Sequence, residues 1–580
     1  MTSAITTRIQ QRDVPPRTAW ALEQAGVHPL LARLFAARGI KLADELDHGP
    51  ARLLPPNGLL GATAAAELLA DAIAAGGRIC VVADYDCDGA TACAVMLRGL
   101  ALLGAEPANL GYVVPDRRVH GYGLTPAIVD LALQAAGGAP DVLVTVDNGI
   151  ASLEGVAHAR AAGLAVVVTD HHLPARIDEA VVLPDADVIV NPNQPACSFA
   201  SKNLAGVGVA FYVLLALRAE LRNRGEIDVA TQPRLETLLD LVALGTVADV
   251  VRLDRNNRCL VAQGLKRIRG GRMQAGVAAL FAVAGRDPAE ASAADFGFAL
   301  GPRLNAAGRL ADMTLGIECL LTDDAGRAHE LATALDAMNR ERRSLEAGMR
   351  EDAEAQVDRA LALTGEIEPA LAVFDDSFHE GVVGIIASRL KDRAHRPAFV
   401  FAPGQDGSLK GSGRSIEGFH LRDALDLISK RHPTLLARFG GHAMAAGCTI
   451  ARADFETFRH ELQAVAAAAI GAWSRERAVL SDGPLDGKHF DAATARVIEA
   501  QVWGPSFDAP VFSDAVEIVS QRLVGERHLK LSVRVGGVVR DAIWFGRSEP
   551  VADRVRMAWR LGLDAYNGIE RVQMIVVAAE

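Results

Sequence analysis

The strongest constraint on this chain is a series of short apolar segments from residue 78 onward, several of which stop on acids. Ile79–Ala83, Leu110–Val114, Val142–Val146, Ala165–Thr169 and Val188–Val190 read as strands, and helical segments near 89–103, 125–136 and 152–162 separate them. Such alternation implies a parallel sheet covered by helices on both faces. In an open sheet of this kind, ligands bind beyond the carboxyl ends of the strands.

Acids and imidazoles fall at that edge. Strand 79–83 runs into Asp84-Tyr85-Asp86-Cys87-Asp88-Gly89, strand 142–146 into Asp147-Asn148-Gly149, and strand 165–169 into Asp170-His171-His172. Asp249, closing the helical stretch LLDLVALGTVAD, is a fourth candidate. A single Asp after a strand is more often the N-cap of the next helix than a ligand, and for Asp88 or Asp147 alone the cap is the better reading. Three carboxylates within five residues resist it, because without a cation they repel one another and raise each other's pKa values. Divalent cations resolve that repulsion. Carboxylates with one or two imidazoles and no thiolate pair suit Mn²⁺ or Mg²⁺ better than a structural zinc. Two such ions, about 3.5–4 Å apart, serve phosphoryl displacement by activating water and stabilising the leaving oxygen.

The 580 residues exceed one hydrophobic core, so roughly three to four domains are expected. Half the residues are hydrophobic and 23% are charged, which excludes a disordered chain. No apolar run reaches the roughly 18 residues of a membrane helix. The start, MTSAITTRIQQRDVPPR, lacks the apolar core of an export signal, so a cytoplasmic protein without membrane contact is expected. Seven scattered cysteines without a CxxC pair suit reduced thiols. The net charge of −11 argues at first against nucleic acid. An acidic metal site and a narrow basic channel can nevertheless share one molecule. Competing motifs fail: there is no GxxxxGK[ST] phosphate loop, and Val383 stands where a zincin helix needs a second histidine after His379-Glu380.

Residues 1–55 read as short helical pieces broken by Pro15-Pro16 and Pro55-Pro56. The sheet-and-helix domain, with further helical stretches near 204–222 and 233–248, is assigned to 56–322. Residues 323–363 contain no proline and read as one connecting helix, spanning roughly 60 Å at 1.5 Å per residue. A smaller α/β domain is expected over 364–470 and a β-barrel over 471–580, where VEIVSQRLVGERHLKLSVRV and VQMIVVAA are strand-like.

In this order, VADYDCDGATA (from Val82), TVDNGI (145–150), TDHH (169–172) and GTVADVV (245–251) resemble the four motifs of the DHH phosphoesterase superfamily. VPDRRVHGYGLT (114–125) and FALGPRLNAAGRL (298–310) are similar to motifs of its RecJ branch, the single-strand-specific 5′→3′ DNA exonucleases of bacteria. FHEGVVGIIASRLKD (378–392), GSGRS (411–415) and FGGHAMAAG (439–447) look like the superfamily's DHHA1 domain. The resemblance covers nearly the whole chain and is weakest before residue 55. Other branches carry a histidine four residues before the first acid of the DxD pair. Here that position is Val82 and Asp84 substitutes, which favours the RecJ branch. The fold class implied is α/β: a parallel-sheet DHH domain and a smaller α/β DHHA1 domain joined by the long helix, plus a C-terminal OB-like β-barrel.

Carried over residue by residue, the resemblance implies a metal set of Asp84, Asp86, Asp88, Asp147, His171 and Asp249, with Asp147 bridging two divalent ions, Mn²⁺ or Mg²⁺. His172 would contact the scissile phosphate, and Asp170 would orient a histidine. Arg117, Arg303 and Arg309 would grip phosphates, for which arginine's planar fork is suited, with Asn305 beside them. For each arginine alone, a surface salt bridge is the better reading. In the second α/β domain, His379, Glu380 and Gly381 precede a helix whose free N–H groups would hold a phosphate. Ser388, Arg389, Gly411, Ser412, Arg414 and His442 would line the same groove. Lys530, Trp544 and Phe545 of the barrel are candidate strand contacts, with core packing the better reading for the two aromatics. Cys87, where alanine is common, is expected to point away from the metals and to confer sensitivity to zinc or oxidants.

The expected activity is metal-dependent hydrolysis of single-stranded DNA from its 5′ end, releasing 5′-mononucleotides, in DNA repair and recombination. The family implies single-strand-binding protein and a helicase as partners, and a monomer is expected. Two alternatives stay open. One is an oligoribonuclease or cyclic-dinucleotide phosphodiesterase of the same superfamily, whose chains are shorter and lack the barrel. The other is a catalytically dead replisome scaffold, against which every expected acidic and histidine position is filled.

Overall fold

The computed structural model describes residues 6–116, 119–120, 122–135, 138–177, 180–364, 367–404, 407–470, 476–525, 527–566 and 569–580. The chain divides into two compact units. One is Val14–Asn339 with Arg496–Ala509; the other is Met1–Asp13, Arg340–Ala495 and Pro510–Glu580.

The first unit is built on a five-stranded, all-parallel sheet with the spatial order Leu110–Val113, Ile79–Ala83, Val142–Val146, Ala165–Thr169, Val188–Val190. Ile79–Ala83 and Val142–Val146 are buried along their whole length, as strands covered on both faces must be. One face packs Cys80, Val82, Leu143, Val166 and Val168 onto Ile128, Val129, Val156 and Ala159 of the helices Pro126–Leu133 and Leu153–Ala161. The chain enters at Ile79–Ala83, adds one strand on one side and then builds outward on the other. The connections therefore diverge between Ile79–Ala83 and Val142–Val146, which is where such sheets open a binding crevice. The register is level there: Ala83 pairs with Val146, and Val146 with Thr169. Asp84, Asp147 and Asp170 therefore leave the sheet side by side.

The helices fall close to their expected limits. The stretch near 204–222 is Gly206–Asn223, and that near 233–248 is a short 3₁₀ turn, Leu235–Leu238, followed by the helix Leu239–Ala248. The proline-free segment forms one helix, Ala325–Thr364, and the division between the units falls inside it.

In the second unit, a five-stranded sheet runs Arg438–Gly441, Ala445–Ala451, Ser408–Arg414, Ala398–Pro403, Leu371–Phe374, with only the last pair parallel. Phe399, Phe401 and Phe458 anchor its core. A closed five-stranded barrel follows, made of Phe512–Val524, His528–Val535, Val538–Trp544, Arg554–Tyr566 and Ile569–Ala579. Trp559 is buried, but Phe545 is 55% exposed, which corrects the expectation of core packing for it. It lies just past the end of the strand Val538–Trp544, beyond the barrel wall. Trp544 is half-buried under the Arg547 guanidinium, 4.4 Å from its ring centroid, and Lys530 Nζ bonds Gln573 Oε1 at 3.1 Å.

The N-terminal segment departs from the helical expectation. Pro16–Gln24 and Pro29–Ala36 are helices, but Thr6–Gln11 is a strand paired in parallel with Glu476–Ser481. TTRIQQ carries one apolar residue, Ile9, which is buried with Val511, Ala558 and Ala578. A polar strand whose partner lies hundreds of residues away leaves no local signal.

Candidate metal centre

The level register delivers three acids, and two turns and a helix deliver the rest. Asp86 caps the helix Cys87–Leu102, accepting the Gly89 N–H at 3.0 Å. Asp88, the second residue of that helix, caps a different one: its carboxylate accepts the N–H groups of Gly206 (2.6 Å) and Val207 (2.9 Å) at the start of Gly206–Asn223. The capping reading thus belongs to Asp86 for the next helix, and Asp88 ties two helices together. Asp147 has a left-handed backbone, φ 62°, and lies so close to Gly206 that a Cβ there would stand 2.5 Å from the Asp147 Cβ. Only glycine permits that approach. Asp249 ends the helix Leu239–Ala248 and brings its carboxylate to the same place.

His171 Nε2 stands 3.1 Å from Asp147 Oδ1, 3.4 Å from Asp249 Oδ2 and 4.0 Å from Asp88 Oδ2. Three sets of side chains offer ligand atoms mutually within 4.8 Å: Asp88–His171–Asp249, Asp84–Asp86–Asp147 and Asp147–His171–His172. The first two share no residue. All six expected metal ligands therefore converge.

Burial, followed by the repulsion of neighbouring carboxylates, holds Asp84, Asp147 and Asp249 well above the usual carboxylate range. The same causes push Asp88 up to about 7. His171 is driven down to about 4 by burial and by the adjacent His172, so its imidazole is neutral and Nε2 can serve as a ligand. A backbone hydrogen bond at Leu204 holds that ring. Asp147 Oδ1, His171 Nε2 and Asp249 Oδ2 are buried and have no hydrogen-bond partner. Buried acceptors facing one another without donors are strongly unfavourable, and a cation is what satisfies them. Hard oxygen donors with one imidazole match Mn²⁺ or Mg²⁺. The site fits the expected ions.

His172 behaves oppositely to its neighbour. Burial alone would lower its pKa, but the Asp170 carboxylate, 2.8 Å from Nδ1, raises it to about 9. Asp170 is in turn held below the usual range: burial opposes this, but the His172 bond and charge and the Ile150 N–H outweigh it. Asp170 also accepts the backbone N–H groups of His171 and His172, fixing the turn. Asn193 and Asn191 hold the carbonyls of His171 and His172 from the next loop.

Tyr122 was not among the expected residues. Its hydroxyl lies 3.2 Å from His172 Nδ1, 3.3 Å from Nε2 and 3.4 Å from the Asp147 carbonyl. The signal for it was its place past Leu110–Val113, at the same edge of the sheet as the acids. Arg117 lies outside the described residues. Asn305 accepts the Cys87 N–H at 2.7 Å, so it supports the acidic turn. Arg303 departs from the expected phosphate grip: it is buried, its guanidinium holds Asp336 at 2.9 Å, and it donates to the Ala299 carbonyl. Arg309 lies half-buried in the same helix, Gly301–Leu310. Cys87 is buried, and its thiol is pushed well up by burial and then by Asp86.

In the second unit, the expected phosphate groove comes together in part. A Cβ on Gly384 would lie 3.0 Å from both Arg414 NH2 and Ser412 Oγ, so the helix Val383–Ala394 starts against GSGRS. Ser412 pairs with Gly447, which pairs with Gly440, placing FGGHAMAAG alongside, with His442 in its turn. Two details differ from expectation. The Gly381 N–H bonds His379 Nδ1 and those of Val382 and Val383 bond the His379 carbonyl, so these N–H groups are taken. Arg389, two turns along beside Ser388, bonds Glu346 at 3.1 Å.

Three domain families match the chain: the DHH family N-terminal domain over residues 78–246, the DHHA1 domain over 368–468 and the RecJ OB domain over 481–578. The single-stranded-DNA-specific exonuclease RecJ of Salmonella typhimurium is 45% identical over 98% of this chain and 99% of its own length. That of Escherichia coli is 44% identical over 95% and 96%. The crystal structure of Thermus thermophilus RecJ with Mn²⁺ superposes with a TM-score of 0.80 at 30% identity, covering all of this chain and 80% of that one. The same protein with Mg²⁺ gives 0.76. A full-length relationship of this depth, on a site that fits those same ions, means that the chain belongs to the RecJ family.

Proposed function

We propose that this chain is a metal-dependent exonuclease that degrades single-stranded DNA from 5′ to 3′, releasing 5′-mononucleotides. One observation supports it above the others: Asp147 Oδ1, His171 Nε2 and Asp249 Oδ2 converge, buried and without donors, at the crevice of the sheet. Asp88, His171 and Asp249 would hold one ion and Asp84, Asp86 and Asp147 the other, with Asp147 joining them. When bound, the ions supply Lewis-acid stabilisation of the phosphoryl oxygens and lower the pKa of water.

The chain's own groups do the rest. Asp170 accepts from Nδ1 of His172 and favours the charged ring, which presents Nε2–H to a non-bridging oxygen of the scissile phosphate. That contact strengthens as charge builds on the oxygen. The Tyr122 hydroxyl positions the His172 ring. Asn305 keeps the acidic turn in place. In the second unit, Ser412 and Arg414 are the phosphate contacts the geometry favours, with His379, Gly381, Ser388, Arg389 and His442 around them. Arg117 and Arg309 are proposed as further backbone contacts. Arg303 supports the helix it sits on.

Work in DNA repair and recombination, as a cytoplasmic monomer alongside single-strand-binding protein and a helicase, belongs to the same reading. No helix among the described residues is long and apolar enough to cross a membrane. Digestion of 5′- and 3′-labelled single strands with Mn²⁺ and with EDTA tests the activity. Label release from the 5′ end with Mn²⁺ alone is expected. Release from the 3′ end, or release in EDTA, overturns it.

A further inference from the structure

Three exposed apolar side chains lie on segments that carry the acidic centre or pack against them, and the chemistry above uses none of them. Leu173 follows His172 and is 61% exposed; Val250 follows Asp249 and is 66% exposed; Phe298 is 79% exposed. Single exposed apolar residues are ordinary. Val250 and Phe298 are set apart by their backbones. Val250 has φ 65°, a left-handed conformation that a β-branched residue rarely adopts. Phe298 is the middle residue of a π-helical turn, Phe296–Leu300, a form rare enough that its occurrences concentrate at functional sites. The neighbours Phe296 and Leu300 are buried while Phe298 stays outside, so the turn fixes the ring's base without covering its faces.

The turn is also tied to the metal ligands. A Cβ on Gly297 would lie 3.7 Å from Val247, and one on Gly301 would lie 3.1 Å from the Ala248 Cβ; Val247 and Ala248 lead directly into Asp249. The helix Gly301–Leu310 that follows supplies Asn305 to the Cys87 N–H, and its Gly308 is pressed against the Tyr85 carbonyl. The segment carrying Phe298 is thus in contact with the elements that present Asp249 and Asp86.

We infer that Phe298 is a stacking platform for a nucleobase of the single strand, next to the nucleotide whose phosphate is cleaved, with Val250, which follows Asp249, as further apolar surface. This rests on the exonuclease reading and adds to it a base-binding subsite in the first unit. The occupant follows from chemistry: a single strand brings phosphate and an unstacked aromatic face together, and every base has such a face, so the ring gives grip without sequence preference.

The test compares the full chain with Phe298→Ala and Phe298→Tyr in Mn²⁺. On single-stranded oligonucleotides, Phe298→Ala should raise KM about 5- to 100-fold, the range of one lost base–aromatic stack. Phe298→Tyr should restore it. Hydrolysis of bis(p-nitrophenyl) phosphate, a diester without bases, should be unchanged in both variants. Oligonucleotides carrying one abasic site, moved stepwise from the 5′ end, should show a position where wild type loses the same factor and Phe298→Ala loses nothing further. An unchanged KM for Phe298→Ala on DNA, or a position-independent abasic effect, overturns the inference while leaving the exonuclease reading intact. A wild-type chain that does not cleave DNA at all overturns that reading instead. Parallel loss on the small diester shows that the substitution disturbs the metal site, and it also overturns the stacking role.

Discussion

Asp249→Asn should make the protein more stable without metal and less stable with it. Asp249 carries a negative charge at the C-terminal end of Leu239–Ala248, where the helix dipole already disfavours one. Its ligand oxygen lies within 4.8 Å of that of Asp88. Two unit charges at that distance repel by about 3 kcal/mol at an effective dielectric constant of ~20. Protonation offers an escape, but binding a proton at pH 8 against an ordinary value of 3.8 is unfavourable by at most about 6 kcal/mol. The amide keeps the shape and removes the charge, so about 2–4 kcal/mol should be gained in EDTA at pH 8. With about 2.1 cal/mol/K of unfolding entropy per residue over roughly 340 residues, this corresponds to a Tm rise of about 3–6 °C.

The sign with pH follows from the direction of the shift. Burial and then Asp88 raise the folded-state pKa of Asp249, so its unfavourable contribution is absent below about pH 4 and grows as pH rises toward the folded value. The advantage of Asp249→Asn in EDTA should therefore vanish at low pH. Mn²⁺ at a thousand times Kd should reverse the order, because wild type then gains about 4.1 kcal/mol for each ion it holds and the variant has lost a donor. Scanning calorimetry at pH 5 and 8, each with EDTA and with Mn²⁺, reads all four states. A variant less stable than wild type in EDTA at pH 8, or equally shifted in all four, refutes the argument that carboxylate repulsion dominates this centre.

Three further outcomes follow from other contacts. Gly206→Ala should fold but bind Mn²⁺ weakly by calorimetric titration, since the new methyl must displace Asp147 from its 2.5 Å approach; unaltered Mn²⁺ affinity would show that Asp147 has room to move. Arg303→Met should lower stability by about 3 kcal/mol by taking the buried guanidinium away from Asp336, and Arg303→Met/Asp336→Leu should recover part of it with unchanged KM for DNA; a raised KM in the stable double variant would restore the phosphate grip. His48→Phe should flatten the fall in stability between about pH 6.5 and 4: burial and then Arg258 hold His48 down to about 4, so the folded state resists its protonation as pH falls through that window. The loss it accounts for is at most about 3 kcal/mol, read by urea denaturation at pH 7 and 5.

The sheet and its acids were legible because both signals are local. Valine runs with helical spacers dictate a parallel sheet, and an acid directly after a strand must sit at the carboxyl edge whatever the tertiary detail. The family motifs then ordered these acids into one set, and the structure brings all six ligands together. Thr6–Gln11 was illegible for the opposite reason. Its partner strand is Glu476–Ser481, and nothing in TTRIQQ announces it.

Arginines and small residues marked the other limit. A motif says that Arg303 stands near the site, but whether its guanidinium faces substrate or Asp336 depends on a residue 33 positions away. Gly206 carries no side chain by which a motif could announce it. The structure gives that absence a purpose: its N–H holds Asp88 and its missing Cβ admits Asp147. One position therefore sets the spacing of two carboxylates, one on the helix Cys87–Leu102 and one past the strand Val142–Val146. A metal centre assembled this way is specified as much by what the intervening residues omit as by the ligands themselves. That is why Gly206 and Asn305, which donate nothing to an ion, should prove as intolerant of substitution as the acids they arrange.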